Sequence, residues 1–178
     1  MNVYTKNKPL IGKGLFSKVY GDLNSPTVTI VTVDNAKECL ALFCKKMKHL
    51  PDTKRIDDGV YIQPRYNRIS SVADIKEWKA LKKIHNEYNS FTYSLDYAKS
   101  IRNYNTLIDL IEKYKDDLGN DLYEALLELI SAYSNYEYNI GFEIARRNLA
   151  LDNEGNLILL DVIFSPELLN KKRGKKTK

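Results

Sequence analysis

Apolar residues in the first third of the chain fall in short runs. Leu10–Ile11, Val19–Tyr20 and Thr27–Val33 are β-favouring stretches, and Asn24-Ser25-Pro26 breaks the chain before the third. The spacing then changes. Leu40, Phe43, Cys44 and Met47 recur at i, i+3, i+4 and i+7, which predicts an amphipathic helix. Asp34 stands at its N-cap, Glu38 favours the positive end of its dipole, and Leu50-Pro51 ends it. Gly59–Gln63 predicts one more strand before Pro64.

The remainder has helical periodicity. Ser71 caps a predicted helix from Val72 to about Tyr88. A second runs from about Leu95 to Lys115, with Leu107, Ile108, Ile111 and Tyr114 on one stripe, and Gly119-Asn120 breaks it. A third, from Asp121 to about Tyr136, buries Leu122, Leu126, Leu129, Ile130 and Tyr133. In NLALDNEGNLILLDVIF, two apolar strands flank Asp152-Asn153-Glu154-Gly155-Asn156, a hairpin with Gly155 where φ must be positive. The predicted class is α+β. Residues 1–66 form a β-rich N-terminal lobe with one helix, 67–165 a helical lobe ending in a hairpin, and 166–178 a basic tail.

Composition narrows the function classes. The 178 residues are 43% hydrophobic and 29% charged, as in a globular chain of one domain or two small lobes. No apolar run approaches the roughly 20 residues of a membrane helix, and MNVYTKNKPL lacks the apolar segment of a secretion signal. The net charge of +5 belongs to the end of the chain: KKRGKKTK carries six cations, and without it 22 basic residues face 23 acidic ones. That tail is expected to be solvated and disordered, with a weak, salt-dependent contact to nucleic acid as its one implied partner. Cys39 and Cys44 lie five apart on different helix faces, so buried free thiols are expected rather than a disulfide. The 13 tyrosines scatter over the whole chain as core and rim aromatics.

Candidate chemistry lies at both ends. Gly12-Lys13-Gly14-Leu15-Phe16-Ser17-Lys18-Val19 is a glycine-rich loop between two strands. Glycines let backbone N–H groups approach phosphate oxygens, and Ser17 adds a hydroxyl. Taken alone, G-x-G in a hairpin is an ordinary tight turn more often than a cradle. Glu143 and Asn148 lie five apart, and Asp161 follows thirteen after Asn148. The hairpin should return Asp161 to Asn148, pairing an amide oxygen with a carboxylate, hard ligands suited to Mg²⁺ shared with phosphates. Against this stands a hairpin with merely polar ends and a solvated glutamate.

Three stretches, IGKGLFSKVY, CLALFCKKM leading to HLPDTKRIDDGVYIQ, and GFEIARRNLALDNEGNLILLDVIFSP, together resemble the early serine/threonine protein kinases of T-odd coliphages. The resemblance implies a two-lobed kinase-like fold. Gly12, Gly14, Ser17 and Val19 would cover ATP, and Asn148 and Asp161 would hold Mg²⁺. The chain departs from that pattern in places. The third-strand lysine that pairs with the phosphates is replaced by Ile30. Glu143 stands for the catalytic aspartate, one methylene longer, a displacement of about 1 Å that costs on the order of 10²-fold. Ala145, followed by Arg146 and Arg147, stands where these kinases carry histidine, and Val162-Ile163 replaces Phe-Gly. Seventeen residues follow Asp161, too few for an activation segment.

Three readings follow. The first is a phage kinase-like protein without phosphoryl transfer that binds a host protein in the bacterial cytoplasm, with or without nucleotide. The second is an active divergent serine/threonine kinase using ATP and Mg²⁺, with Lys13, Lys18, Arg146 or Arg147 in place of the missing lysine and Arg146 and Arg147 beside the metal site to clamp phosphate. The third is a small binding module that contacts nucleic acid through its tail.

Overall fold

The computed structural model describes residues 3–22, 24–44, 46–90 and 97–174. β1 (Leu10–Lys13), β2 (Ser17–Tyr20), β3 (Thr27–Thr32), β4 (Lys54–Asp57) and β5 (Val60–Pro64) form an antiparallel sheet in the order β1-β2-β3-β5-β4. β3 is inside the sheet and its Val28, Thr29 and Ile30 are all buried. Val19 and Tyr61 flank Ile30 on the two neighbouring strands. β4 escapes the hydrophobic pattern because KRID is a charged edge strand, the composition that keeps an edge from pairing further. Gly59 makes the β4–β5 turn at φ +63°, where an added Cβ would meet the Thr32 carbonyl oxygen at 2.7 Å.

α1 (Ala36–Leu42) is shorter than the periodicity predicts. The chain leaves it through Phe43, and Lys46 and His49 both take positive φ. Leu40 and Cys44 therefore stay buried while Phe43 turns outward, its ring 6.0 Å from that of Tyr136. Asn35 occupies the N-cap, and Asp34 acts one position earlier, its Oδ1 accepting from the Ala36 N–H at 3.0 Å. Ser71 does cap, but only a 3₁₀ turn over Val72–Asp74, because Ile75 is extended. The helices proper are α2 (Trp78–Ser90), α3 (Tyr97–Lys113), α4 (Lys115–Leu118) and α5 (Asn120–Ser134). The predicted start of the second helix, Leu95, lies outside the described residues.

The larger core joins α2, α3 and α5 through Leu81, Ile84, Leu107, Ile111, Leu126 and Ile130. Each such side chain contributes about 1.5–3 kcal/mol on burial. Ala36, Cys39 and Leu40 of α1 belong to this core, while its Ala41 packs with Val28, Ile30 and Tyr61 under the sheet. α1 is thus the element shared by sheet and helices. Both cysteines are buried and free, as expected.

Five short strands complete the fold. β6 (Asn67–Arg68), β8 (Leu149–Leu151) and β9 (Leu157–Leu159) make one sheet; β7 (Gly141–Phe142) and β10 (Ile163–Phe164) pair separately. Two-residue strands leave no readable period. The tail is a correction. Residues 166–174, expected to be disordered, form α6 (Pro166–Gly174). Ser165 Oγ accepts from the Leu168 N–H, Pro166 opens the helix, Glu167 lies in the first turn and Lys171, Lys172 and Arg173 in the last. Each choice favours a helix against its dipole and its unpaired ends. The rest of the tail, 175–178, lies outside the described residues. Among the described residues six helices accompany the sheets, a mixed α+β class, and no helix is long and apolar enough to cross a membrane.

Candidate functional site

The β8–β9 hairpin brings the two ends of its sequence together. Leu149 pairs with Leu159, Ala150 with Ile158 and Leu151 with Leu157. Asp152 Oδ1 accepts from the Glu154 and Asn156 N–H groups, and Gly155 takes φ +85°, so the turn closes as the sequence predicts. Asn148 precedes the strand rather than beginning it, closing a 3₁₀ turn over Arg146–Asn148. Its carbonyl accepts from the Leu160 N–H at 2.8 Å and the Asp161 N–H at 3.4 Å. The β7–β10 pair adds Glu143, whose N–H donates to the Val162 carbonyl at 2.9 Å. Glu143, Asn148 and Asp161 therefore converge.

Their side chains divide the work. Glu143 Oε1 accepts from Arg147 at 2.6 Å, and its Oε2 accepts from Asn148 Nδ2 at 3.5 Å. That contact fixes the Asn148 amide and leaves its Oδ1 with no hydrogen bond to the described residues. Asp161 is 45% exposed, so solvent reaches a side chain whose carboxyl is nonetheless crowded by protein. The crowding pushes its pKa up, Lys37 opposes the shift, Glu143 adds to it and Arg147 opposes it. Asn148 and Asp161 meet through their backbones, and an amide oxygen and a carboxylate are the hard donors that a divalent cation shared with phosphate would take. Among the described residues no group of three or more His, Cys, Asp and Glu is arranged to hold a metal ion by itself.

Arg146 and Arg147 do not form the expected clamp. Adjacent residues of a 3₁₀ turn point about 120° apart. Arg147 bonds Glu143, whereas Arg146 Nη1 donates to the Ser70 carbonyl at 3.1 Å.

The glycine-rich loop differs from the expected cradle. The Gly14 N–H donates to the Ser17 carbonyl at 2.8 Å, and the Ser17 hydroxyl donates to Thr32 Oγ1 at 2.9 Å. Neither Gly12 nor Gly14 has positive φ, so the alternation that makes a backbone nest is missing. Lys172 of α6 donates to the Leu15 carbonyl, and its Nζ lies 5.1 Å from the centre of the Phe16 ring. Val19 and Ile30 pack in the hydrophobic cluster under the sheet.

Sequence reasoning missed two further residues. Lys37, 4% exposed, donates to the Leu160 carbonyl, and its Nζ stands 4.0 Å from Asp161 Oδ1. Asp34 is buried beside it, and loss of water pushes its pKa up to about 7; the Ala36 N–H opposes that rise, Asp161 adds to it and Lys37 opposes it. The signal for Lys37 was present: it is the first lysine after Lys18, one turn beyond the strand that lacks one.

A cavity of about 580 Å³ lies elsewhere, between the β8–β9 turn and the start of α5, lined by Lys48, His49, Arg68, Lys76 and Asp121 among others. It touches none of Gly12, Asn148 and Asp161. Comparison of the chain with protein-family models, curated proteins and solved structures gives no match.

Proposed function

We propose that the chain is a kinase-like protein that does not transfer phosphate and acts by binding a protein of a bacterial host. The strand order β1-β2-β3-β5-β4 with one helix, followed by a helical half and a hairpin bearing Asn148 and Asp161, supports a two-lobed kinase-like reading. The phage setting, and with it the host cytoplasm, rests on the sequence resemblance. One observation carries the loss of catalysis. The Glu143 carboxylate, at the position of the catalytic base, is engaged by Arg147 and Asn148. Phosphoryl transfer depends on positioning and charge. A base already bonded to a guanidinium is poorly placed to take a hydroxyl proton. Ile30 in the hydrophobic cluster supplies no charge from β3.

The second reading, an active divergent kinase with ATP and Mg²⁺, draws on the Lys37–Asp161 contact. The tail-based nucleic-acid module is weaker, because Lys172 is occupied at the Leu15 carbonyl.

The test is transfer of label from γ-labelled ATP with Mg²⁺ to the protein itself or to a bacterial extract. No transfer is expected. Transfer that disappears in Asp161→Ala would replace this reading with the active kinase.

A further inference from the structure

We propose that Lys37 is the phosphate-binding cation of the Asn148–Asp161 site, delivered from α1 in place of the lysine that β3 lacks. The inference rests on the kinase-like reading of that site and names its ligand class, a nucleoside polyphosphate with a divalent cation.

Lys37 is the one buried lysine or arginine among the described residues. Removing an ammonium from water is expensive unless its three N–H groups find acceptors. Here one bonds the Leu160 carbonyl, and the Asp161 carboxylate at 4.0 Å lies beyond hydrogen-bonding distance. Among the described residues the other two donors find no acceptor. A purely structural lysine would gain by bonding Asp161 directly or by reaching solvent through its flexible stem. This one is held instead at the Leu160 carbonyl, just past the β8–β9 hairpin. Asp34 and Ala36 fix the start of α1 through the 3.0 Å cap bond, so its direction is set by the backbone.

The surrounding charge selects the ligand. Asp161, Glu137 and Glu143, with the partly protonated Asp34 among them, lie around two cations, Lys37 and Arg147. That excess of carboxylates repels a bare anion and accepts one that arrives with Mg²⁺. Asp161 and the free Oδ1 of Asn148 suit the metal, and the spare donors of Lys37 suit a phosphate oxygen. Ile30, 3% exposed on β3, supplies no charge of its own from that strand position.

The test is calorimetric titration of the full chain with the Mg²⁺ complex of the non-hydrolysable ATP analogue AMP-PNP. Wild type is expected to bind. Lys37→Met is expected to weaken binding by about 10- to 100-fold, the worth of a charged hydrogen bond, and Lys37→Arg to recover part of the loss. Lys48→Met, at an exposed ion pair with Asp121 away from that site, is the control with unchanged affinity. Should Lys37→Met fail to fold, wild type alone decides through ¹⁵N NMR of the lysine ammonium groups. The buried Lys37 signal should shift on adding the complex, which a merely structural lysine would not do. Unchanged affinity in a folded Lys37→Met, an unmoved Lys37 signal, or no binding by wild type at millimolar ligand overturns the proposal. None of these outcomes touches the reading of a non-transferring protein-binding chain, which phosphate transfer alone would overturn.

Discussion

Two of the glycine-containing hairpins, β1–β2 and β8–β9, contrast. In β1–β2 the polar groups of the loop are satisfied within the sheet and by α6: Gly14 on Ser17, Ser17 on Thr32, Lys172 on Leu15. In β8–β9 the turn is equally closed, but the open end gathers Asn148, Asp161 and, through β7–β10, Glu143, with Lys37 arriving from α1. The glycines of the first hairpin attract attention in the sequence, yet the groups with spare bonding capacity belong to the second. A glycine pattern reports what the backbone permits, whereas chemistry needs side chains from several elements at one point.

The largest expected break of this contrast is at Gly141. An added Cβ would meet the Phe164 ring at 2.4 Å, wedging apart the β7–β10 pair that supports Glu143 and Asp161. Gly141→Ala should cost about 1–3 kcal/mol by urea denaturation. Gly12→Ala should cost well under 1 kcal/mol, as ordinary surface substitutions do, since its Cβ would lie 3.4 Å from the Val19 Cβ at ordinary φ. Equal losses would erase the difference between the hairpins.

Next in size is Asp34. Its carboxyl, ordinarily near 3.8, is raised to about 7. Between those values the folded protein keeps a proton that the unfolded chain has released. Stability therefore falls as pH rises through this window and levels off above it. Asp34→Asn keeps the Oδ1 acceptor for Ala36, should flatten that slope, and should add about 1–3 kcal/mol at pH 7.5. Denaturation at pH 5, 6, 7 and 8 checks this; parallel curves for both proteins would contradict it.

Smaller still is Lys172→Ala, which releases the Leu15 carbonyl. Stability should change by less than about 1 kcal/mol, while hydrogen exchange at Leu15 and Phe16 should quicken. Unchanged exchange would mean that α6 does not restrain the loop. Last, Cys39 and Cys44, 0% and 1% exposed, have thiols that burial pushes up to about 12. Both should resist alkylation at pH 8 until the protein is denatured.

Much of the frame was legible in the sequence. β-favouring runs mark β3 and β5, and the Leu122–Tyr133 stripe marks α5. Gly155 marked its turn, so the meeting of Asn148 and Asp161 followed from chain reversal alone. The missed parts have physical causes. β4 is polar because it is an edge, and β7 and β10 are too short to carry a period. α6 is hidden in a charge run that reads as solvated, although Ser165-Pro166-Glu167 held its start signal. Lys37 escapes the sequence reading, which turns to Lys13, Lys18, Arg146 and Arg147 for a substitute cation, because spacing does not reveal which helix face turns toward Leu160.

On the proposed reading, a Mg²⁺ nucleotide would be met from α1 and the β8–β9 hairpin, not from the glycine-rich loop. Backbone amide NMR during titration with Mg²⁺·AMP-PNP tests it most directly. Shifts are expected at Lys37, Asn148, Leu160 and Asp161, with Gly12, Gly14 and Ser17 unmoved. Shifts confined to Gly12, Gly14 and Ser17 would contradict it.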